Sequence, residues 1–423
     1  MLKQSVDYRD VARGILTAND RGGYTVPTEG LYPFQWNWDS AFCAIGFATF
    51  DRRRALEELE SLYAGQWDTG LVPHIVFHRD AETYFPGPEI WGCGRSPPTS
   101  GITQPPVTAT ALRFIVEMAS GDAEIEARAA ALFPKILASH DWWNRERDPD
   151  GTGLVAILHP WESGADNSPA WDGPLARTPR TTTRYQRRDT DLVDPLMRPV
   201  AADYDRFLYL VELYRGENWE GPRLWRRTPF KVADVGVNAI LMRDERDLLA
   251  LAKRFGRSDV EPQIEARVSA RSEALERLWS PARKAYLSLD LLTGTLVAQA
   301  THSSFLPLWG QILPEERVED LFQTLAAWRS TGARGVPTLS PAAPEFDARR
   351  YWRGPTWGMV NYMIAKGFLQ NGRPVFAETL RQETEGLITS AGFYEYFDPL
   401  TGQGLGGGDF SWTAAIGLAW ALN

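Results

Sequence analysis

Helical periodicity runs through most of the chain and limits what it can fold into. Apolar residues recur at three- and four-residue spacing with charged residues between them, the pattern of an amphipathic helix. Several of these segments stop at a glycine, such as Gly121 or Gly256, as helices commonly do. The pattern predicts helices over residues 8–18, 38–49, 52–66, 106–120, 123–145, 201–214, 231–241, 243–255, 261–278, 304–311, 315–331, 356–369, 374–390 and 412–422.

Strand signals are few. Residues 285–292 and 295–300 predict a hairpin around LLTGT, and residues 393–402 predict a second short one. So many helices with so little sheet favour an all-α fold of paired helices closed into a ring, with the site at one end. An open helical solenoid is the alternative, but the sequence has no fixed repeat period.

Two irregular stretches interrupt the helices, at about residues 70–105 and 159–199. Long loops without secondary structure are uncommon inside compact domains and are usually lids or binding loops. No shift in composition marks a linker, so we expect one domain over residues 1–423 with two loop insertions.

Composition excludes several classes of function. The net charge of -9 argues against a nucleic-acid partner, because phosphate binding needs a basic surface. The N-terminus has no apolar signal segment, and no apolar run is long enough to cross a membrane. Cys43 and Cys93 are too few for a disulfide framework. We therefore expect a reduced, cytoplasmic protein with no membrane partner; the sequence leaves open whether it is a homo-oligomer.

No motif for a metal or cofactor is evident. The five histidines show no zinc-ligand grouping with the two cysteines. The glycine-rich run at 404–408 lacks the Lys-Ser/Thr of a phosphate loop, so we interpret it as a flexible loop. No Gly-x-Ser-x-Gly elbow is present for serine hydrolysis. We expect neither a metal nor a cofactor.

Tryptophan is unusually frequent, with 17 residues, and in four segments aromatic residues interleave with acids. Aromatic rings stack on the C–H faces of sugars, whereas a dry core does not collect polar groups in this way. Most of the aromatics are core residues, and a sugar pocket is predicted only at these segments. They are YPFQWNWDS at 32–40, HPWESGADNSP at 159–169, RYWRGPTW at 350–357 and FYEYFDP at 393–399.

Each segment also has a structural interpretation. Asp39 or Ser40 could cap the following helix, and Arg353 could serve only as an ion-pair partner. Against this, two acids four residues apart in the Trp-flanked second segment suit a general acid, which needs partial desolvation to stay protonated near neutral pH. Glu395 lies between aromatic residues. In such an apolar setting a carboxylate needs either a functional role or a partner that stabilises its charge.

The four segments together resemble glycoside hydrolase family 63. The matching motifs are QWNWDS at 35–40, WESGADNSP at 161–169, YWRGPTW at 351–357 and YEYFDPLTG at 394–402, spread in order over nearly the whole chain. The YWRGPTW type of segment is shared with trehalases and related toroids, so the specificity comes from all four. In size, the chain is most similar to the bacterial mannosylglycerate and glucosylglycerate hydrolases of that family.

The resemblance implies an (α/α)6 barrel and glycoside hydrolysis with inversion at the anomeric carbon. It implies that Asp166 is the general acid, Glu395 the general base and Asp39 a third acid that holds sugar hydroxyls or the attacking water. Arg198 and Tyr204 resemble positions on the glycerate side. The basic run at 184–188 is a further candidate there, although a solvated charged loop is the simpler interpretation. The implied pocket positions are Tyr32, Trp36, Trp38, Tyr84, Gln104, Tyr351, Trp352 and Trp357.

The expected substrate is thus a small glycoside, mannosylglycerate or glucosylglycerate. One alternative is an enzyme of the same fold that cuts neutral gluco-oligosaccharides or trehalose, although the PGGRF-type signature of trehalases is missing. Another is a non-catalytic sugar-binding toroid. The choice between glucose and mannose depends on contacts at one hydroxyl and stays open.

Overall fold

The computed structural model describes residues 6–423 and is mostly helical with little sheet, as predicted. The longer helices cap in the expected ways; for example, Asp51 accepts the Arg54 N–H, and Asp122 accepts the Glu124 and Ile125 N–H groups. They span Tyr8–Asn19, Asn37–Ala48, Arg52–Ala64, Thr108–Met118, Ala123–Glu146, Ala201–Gly216, Gly221–Arg227, Val235–Arg254, Glu261–Leu275, Glu315–Arg329, Gly358–Gln370, Pro374–Ala391 and Ser411–Ile416.

Short helical segments fill much of the rest. Four are α-helical, at Pro88–Trp91, Asp172–Ala176, Asp189–Leu192 and Pro307–Gly310. Five are 3₁₀ turns, at Pro160–Ser163, Pro169–Trp171, Pro195–Met197, Glu276–Leu278 and His302–Phe305, and a π turn at Gly417–Ala421 follows the last helix.

The strands are two residues long and antiparallel. Leu289–Asp290 pairs with Val232–Ala233 on one side and with Thr295–Leu296 on the other, which confirms the hairpin around LLTGT. The other pairs are Gln35–Trp36 with Ile75–Val76, Trp279–Ser280 with Ala285–Tyr286, and Tyr396–Phe397 with Gly404–Leu405. The last pair lies in the predicted second hairpin, but its return strand begins beyond residue 402.

Three of the predicted helices, at 231–241, 243–255 and 304–311, differ from the structure. The break predicted at Met242 is wrong: Val235–Arg254 is one helix, because Asp234 caps its start and Met242 continues the buried face. The helix predicted over residues 304–311 is instead two short segments, since Pro307 has no N–H with which to continue the hydrogen-bond ladder.

The helices lie in two layers. Asn37–Ala48 is buried at all of its positions, as an inner helix must be, whereas Arg52–Ala64 packs against it and exposes a charged face. The inner helices pack in succession, each against the next and the last against the first: Asn37–Ala48, Thr108–Met118, Val235–Arg254, Pro307–Gly310, Gly358–Gln370 and Ser411–Ile416. The larger hydrophobic cluster fills the space between the two layers.

No helix within residues 6–423 is both long enough and apolar enough to cross a lipid bilayer.

Candidate active site

One cavity gathers acidic or aromatic residues from all four segments. Four carboxyl groups line it, together with the guanidinium of Arg198. Among the predicted site residues, the structure brings the following to this cavity: Asp39, Asp166, Glu395, Tyr32, Trp36, Trp38, Tyr84, Gln104, Arg198, Tyr204 and Tyr351. Trp352 and Trp357 are not among the residues that line it.

Asp166 follows a tight turn that only glycine can make. Gly164 has φ +70°, and a Cβ there would lie 2.6 Å from Cζ2 of Trp38. Trp171 closes the same turn by donating from its indole N–H to the Ala165 carbonyl at 2.8 Å. The Asp166 side chain is therefore delivered into the cavity beside the Trp38 ring.

The carboxyl of Asp166 has a pKa suited to a general acid. Burial raises its pKa to about 7, and the nearby Glu395 charge adds to the effect, while Arg198 opposes both. No side chain within residues 6–423 donates a hydrogen bond to it that would favour the anion. This carboxyl is thus still partly protonated at neutral pH.

Glu395 is held by donors that favour its ionised form. The Tyr32 hydroxyl donates to Oε1 at 2.9 Å, and the Gly407 N–H donates to Oε2 at 3.2 Å. Burial raises the pKa of Glu395 above its ordinary value, and Arg198 and these two donors reduce the rise. The two carboxyls therefore differ in hydrogen bonding: Glu395 has two donors that favour its anion, whereas Asp166 has no side-chain donor within residues 6–423.

The glycine-rich run forms the support of Glu395. Its Leu405 end pairs with Tyr396, and the Glu395 N–H donates to the Gly407 carbonyl at 2.8 Å. Gly406 has φ +72°, and a Cβ there would collide with Oε2 of Glu395. The run predicted as a flexible loop is thus a close-fitting cradle for one carboxylate.

Asp39 lies in the first turn of an inner helix and does not cap it. The helix begins at Asn37, and its N-cap residue, Trp36, makes no side-chain cap bond. Ser40 instead donates to Oε1 of Glu58 at 2.6 Å. Burial raises the pKa of Asp39 well above its ordinary value, and the Glu395 charge raises it further.

Aromatic rings wall the cavity edge to face. Tyr32 and Trp36 lie 5.3 Å apart, Trp36 and Tyr84 lie 5.4 Å apart, and both pairs are close to perpendicular. Tyr351 has φ 43°, a left-handed conformation that is unfavourable for a residue with a Cβ and is typical of functional sites. Its hydroxyl lies 3.2 Å from that of Tyr32.

Trp352 and Trp357 lie behind this wall. They stack face to face with ring centroids 3.9 Å apart, and Trp357 also stacks on Tyr396 at 4.6 Å. Trp352 in turn contacts the ring of Trp38, at 6.1 Å. The two rings brace the residues that line the cavity.

Arg353 and one residue of the basic run at 184–188 have defined ion-pair partners. Arg353 pairs with Asp172 at 2.7 Å, so the ion-pair interpretation of Arg353 is confirmed. In the basic run, Arg187 pairs with Asp189 at 2.6 Å, whereas Arg184 is exposed.

Several lining residues escape sequence reasoning. Asp189 is brought to the cavity by its pairing with Arg198, a contact across the loop that no local pattern reveals. Trp161 lies within the WESGADNSP motif, so the density of aromatic residues there could have identified it as a lining residue. His74 has no such signal; burial lowers its pKa well below the ordinary value, so its ring is neutral.

Two carboxyls in an aromatic cavity, one with its pKa raised to about 7 and one held by two hydrogen-bond donors, are typical of a class of protein, the glycoside hydrolases that work with two carboxyl groups. The family model described as the mannosylglycerate hydrolase MGH1-like glycoside hydrolase domain matches residues 32–413. The chain belongs to this family of glycoside hydrolases.

Individual relatives match over nearly the full length of the chain. Mannosylglycerate hydrolase MGH1 of Selaginella moellendorffii is 46% identical, over 98% of this chain and 85% of the relative. Glucosylglycerate hydrolase of Mycolicibacterium hassiacum is 34% identical, over 96% of each. The crystal structure of GH63 mannosylglycerate hydrolase from Thermus thermophilus in complex with Tris and D-glycerate superposes with a TM-score of 0.95, at 46% identity over 98% of this chain and 99% of that one.

The close fit of Gly406 against the Glu395 carboxylate leads to a testable prediction. Gly406→Ala is expected to lower kcat for a glycoside about tenfold or more, because the new methyl group displaces the carboxylate from its working position. Gly294→Ala is the matched control, since Gly294 has the same φ of +72° but open space around its Cβ position. Both variants carry a backbone cost of about 1–2 kcal/mol in unfolding free energy. Equal kcat values for the two variants would show that Gly406 does not position Glu395.

Proposed function

We propose that this protein is an inverting α-glycosidase that hydrolyses mannosylglycerate or glucosylglycerate to a hexose and glycerate. The observation that carries the proposal is the contrast between two carboxyls of the cavity. Asp166 has a pKa raised to about 7 and no side-chain donor within residues 6–423, whereas Glu395 accepts hydrogen bonds from Tyr32 and Gly407. The substrate follows from family membership and from the named relatives.

In this mechanism Asp166 is the general acid and Glu395 the general base. Asp166 protonates the glycosidic oxygen as the bond to the anomeric carbon breaks. Glu395 takes a proton from a water that attacks the opposite face of the sugar ring, and the attack inverts the configuration. We expect the two carboxyl groups to be about 6.5–9.5 Å apart with substrate bound, which leaves room for that water.

Asp39 is the third acid of the proposal and holds sugar hydroxyls or the attacking water. It is buried next to Gln104, whose Oε1 accepts the Trp38 N–H at 3.4 Å and whose amide N–H groups are then available to a hydroxyl. The stacking walls are Tyr32, Trp36, Trp38 and Tyr84, with Trp352 and Trp357 as supports rather than contacts.

Arg198 is the proposed partner of the glycerate carboxylate, with Tyr204 beside it. It is the guanidinium that lines the cavity, and a charge-assisted pair with a carboxylate would favour glycerate over a neutral aglycone. The D-glycerate named for the Thermus thermophilus structure supports a glycerate subsite in this family.

The fold proposed for this activity is one (α/α)6 barrel over residues 1–423. The succession of inner helices, each packed on the next and the last on the first, supports it. The insertions at 70–105 and 159–199 are proposed as a lid, which is supported by the cavity-lining residues that they supply. We propose a cytoplasmic location, with the two free cysteines as support.

The roles of the two carboxyls can be separated by leaving group. Asp166→Asn and Glu395→Gln are each expected to lower kcat on a hexosylglycerate by at least about 10²-fold. On an aryl glycoside whose leaving group needs no proton, only Glu395→Gln keeps its full loss. The matched control is Asp172→Asn, an exposed acid whose removal should leave kcat unchanged on both substrates. Near-normal turnover of the hexosylglycerate by either site variant would refute its role.

The substrate and stereochemistry are tested together by ¹H NMR of the reaction. Mannosylglycerate or glucosylglycerate should be hydrolysed with the β-hexose as the first product, because inversion of an α-glycoside gives the β-anomer. Trehalose and kojibiose should be hydrolysed far more slowly. Preferred hydrolysis of either disaccharide would support the neutral-substrate alternative, and sugar binding without any product would support a binding protein.

A further inference from the structure

Arg198 is surrounded by acids that compete for it. Its Nη1 lies 3.9 Å from Oε1 of Glu395, and Asp39 and Asp166 line the same cavity. A long cationic side chain among buried carboxyls will pair with the nearest one unless its geometry is constrained. If Arg198 closed on Glu395, it would lose the freedom to bind a substrate carboxylate.

Asp189 holds Arg198 through Nε, a different nitrogen from the Nη1 that lies nearest Glu395. The Arg198 Nε donates to Oδ2 of Asp189 at 3.0 Å, and its Nη1 donates to the Tyr32 hydroxyl at 2.8 Å. Nη2 has no hydrogen-bond partner within residues 6–423 and is not sealed from solvent. Asp189 therefore occupies Nε of the guanidinium and leaves Nη2 available for a ligand.

Asp189 is itself fixed by the basic run. Arg187 donates from Nε to Oδ1 at 3.0 Å and from Nη2 to Oδ2 at 2.6 Å, a two-bond fork. Arg187 also donates to the Pro199 carbonyl at 2.6 Å, and its guanidinium lies 4.3 Å from the ring centre of Tyr204. Burial acts to raise the pKa of Asp189, but Arg198 and Arg187 outweigh it and lower the pKa to about 2, so the group is anionic at any working pH.

We propose that Asp189, clamped by Arg187, is a positioning residue that orients Arg198 for a carboxylate-bearing aglycone. The inference rests on the proposed function and deepens it, because it explains how one arginine stays available in a cavity lined by four acids. It also gives the basic run at 184–188 a purpose: Arg187 is a support for the acid that holds Arg198, not a ligand of the substrate.

The test compares a charged substrate with a neutral one that differs from it in a single group. One is the hexosylglycerate, and the other is the matching α-hexosylglycerol, in which CH₂OH replaces the carboxylate. Asp189→Asn is expected to lower kcat/KM for the hexosylglycerate about 10- to 100-fold, mainly through KM, because a misplaced cation binds the carboxylate poorly. Its kcat/KM for the hexosylglycerol should fall by a clearly smaller factor, because an Arg198 that turns towards Glu395 affects both substrates alike, whereas the lost carboxylate contact affects only the hexosylglycerate.

Two further variants keep the result interpretable. Asp191→Asn removes an exposed acid two residues away and should change neither substrate. Arg187 does not line the cavity, but Arg187→Gln loosens Asp189 and removes the contact with the Tyr204 ring, so it should raise KM for the hexosylglycerate alone, by a smaller factor. If Asp189→Asn does not fold, Arg187→Gln decides the question by the same comparison.

Equal losses on both substrates would overturn the proposal, because Asp189 would then contact the sugar or serve only the fold. No loss on either substrate would overturn it as well. A wild-type enzyme that does not prefer the charged substrate would instead refute the proposed glycerate specificity, so the two failures are distinguishable.

Discussion

Four carboxyl groups share one cavity with one guanidinium, and burial acts on the pKa of each of them. Taking a carboxyl out of water raises its pKa, so an acid with no compensating donor stays protonated, and an acid given donors ionises more readily. Asp166 has no side-chain donor among the described residues 6–423, while Glu395 has the Tyr32 hydroxyl and the Gly407 N–H. The proposed division of acid and base roles thus depends on which hydrogen bonds the surrounding structure offers at two positions.

The surrounding structure keeps that cavity rigid. Behind the lining residues, Trp352 and Trp357 stack on each other, and Trp357 also stacks on Tyr396, which directly follows Glu395 in the chain. Glycines make the closest approaches, at Gly164 beside Trp38 and at Gly406 beside the Glu395 carboxylate. Because no side chain fits at either glycine, the backbone packs closely against Trp38 and against the Glu395 carboxylate, a fit that the preorganised electrostatics of the proposed mechanism require.

The sequence predicted the helical class because helices depend on local patterns, and the 3.6-residue periodicity identified nearly all long helices. The aromatic–acid motifs marked the segments that contain Asp39, Asp166 and Glu395, whereas the choice of Asp166 and of most lining residues came from the resemblance to glycoside hydrolase family 63. The sequence did not distinguish Trp352 and Trp357, which lie behind the cavity wall, from the residues that line the cavity. A motif does not tell on which side of that wall a ring lies. The sequence also missed Asp189, which reaches the cavity through an ion pair with Arg198 in the fold.

The central claim is that burial keeps Asp166 protonated near neutral pH, and a direct titration tests it. The protein is labelled with ¹³C at the aspartate side-chain carboxyls, and the resonance missing from Asp166→Asn is followed from pH 4 to pH 9. The account predicts a midpoint near 7 for this resonance. Below the midpoint the acid form can protonate the leaving group, and above it kcat/KM should fall. A midpoint near the ordinary aspartate value of about 4 would contradict the account, because Asp166 would then be ionised at working pH.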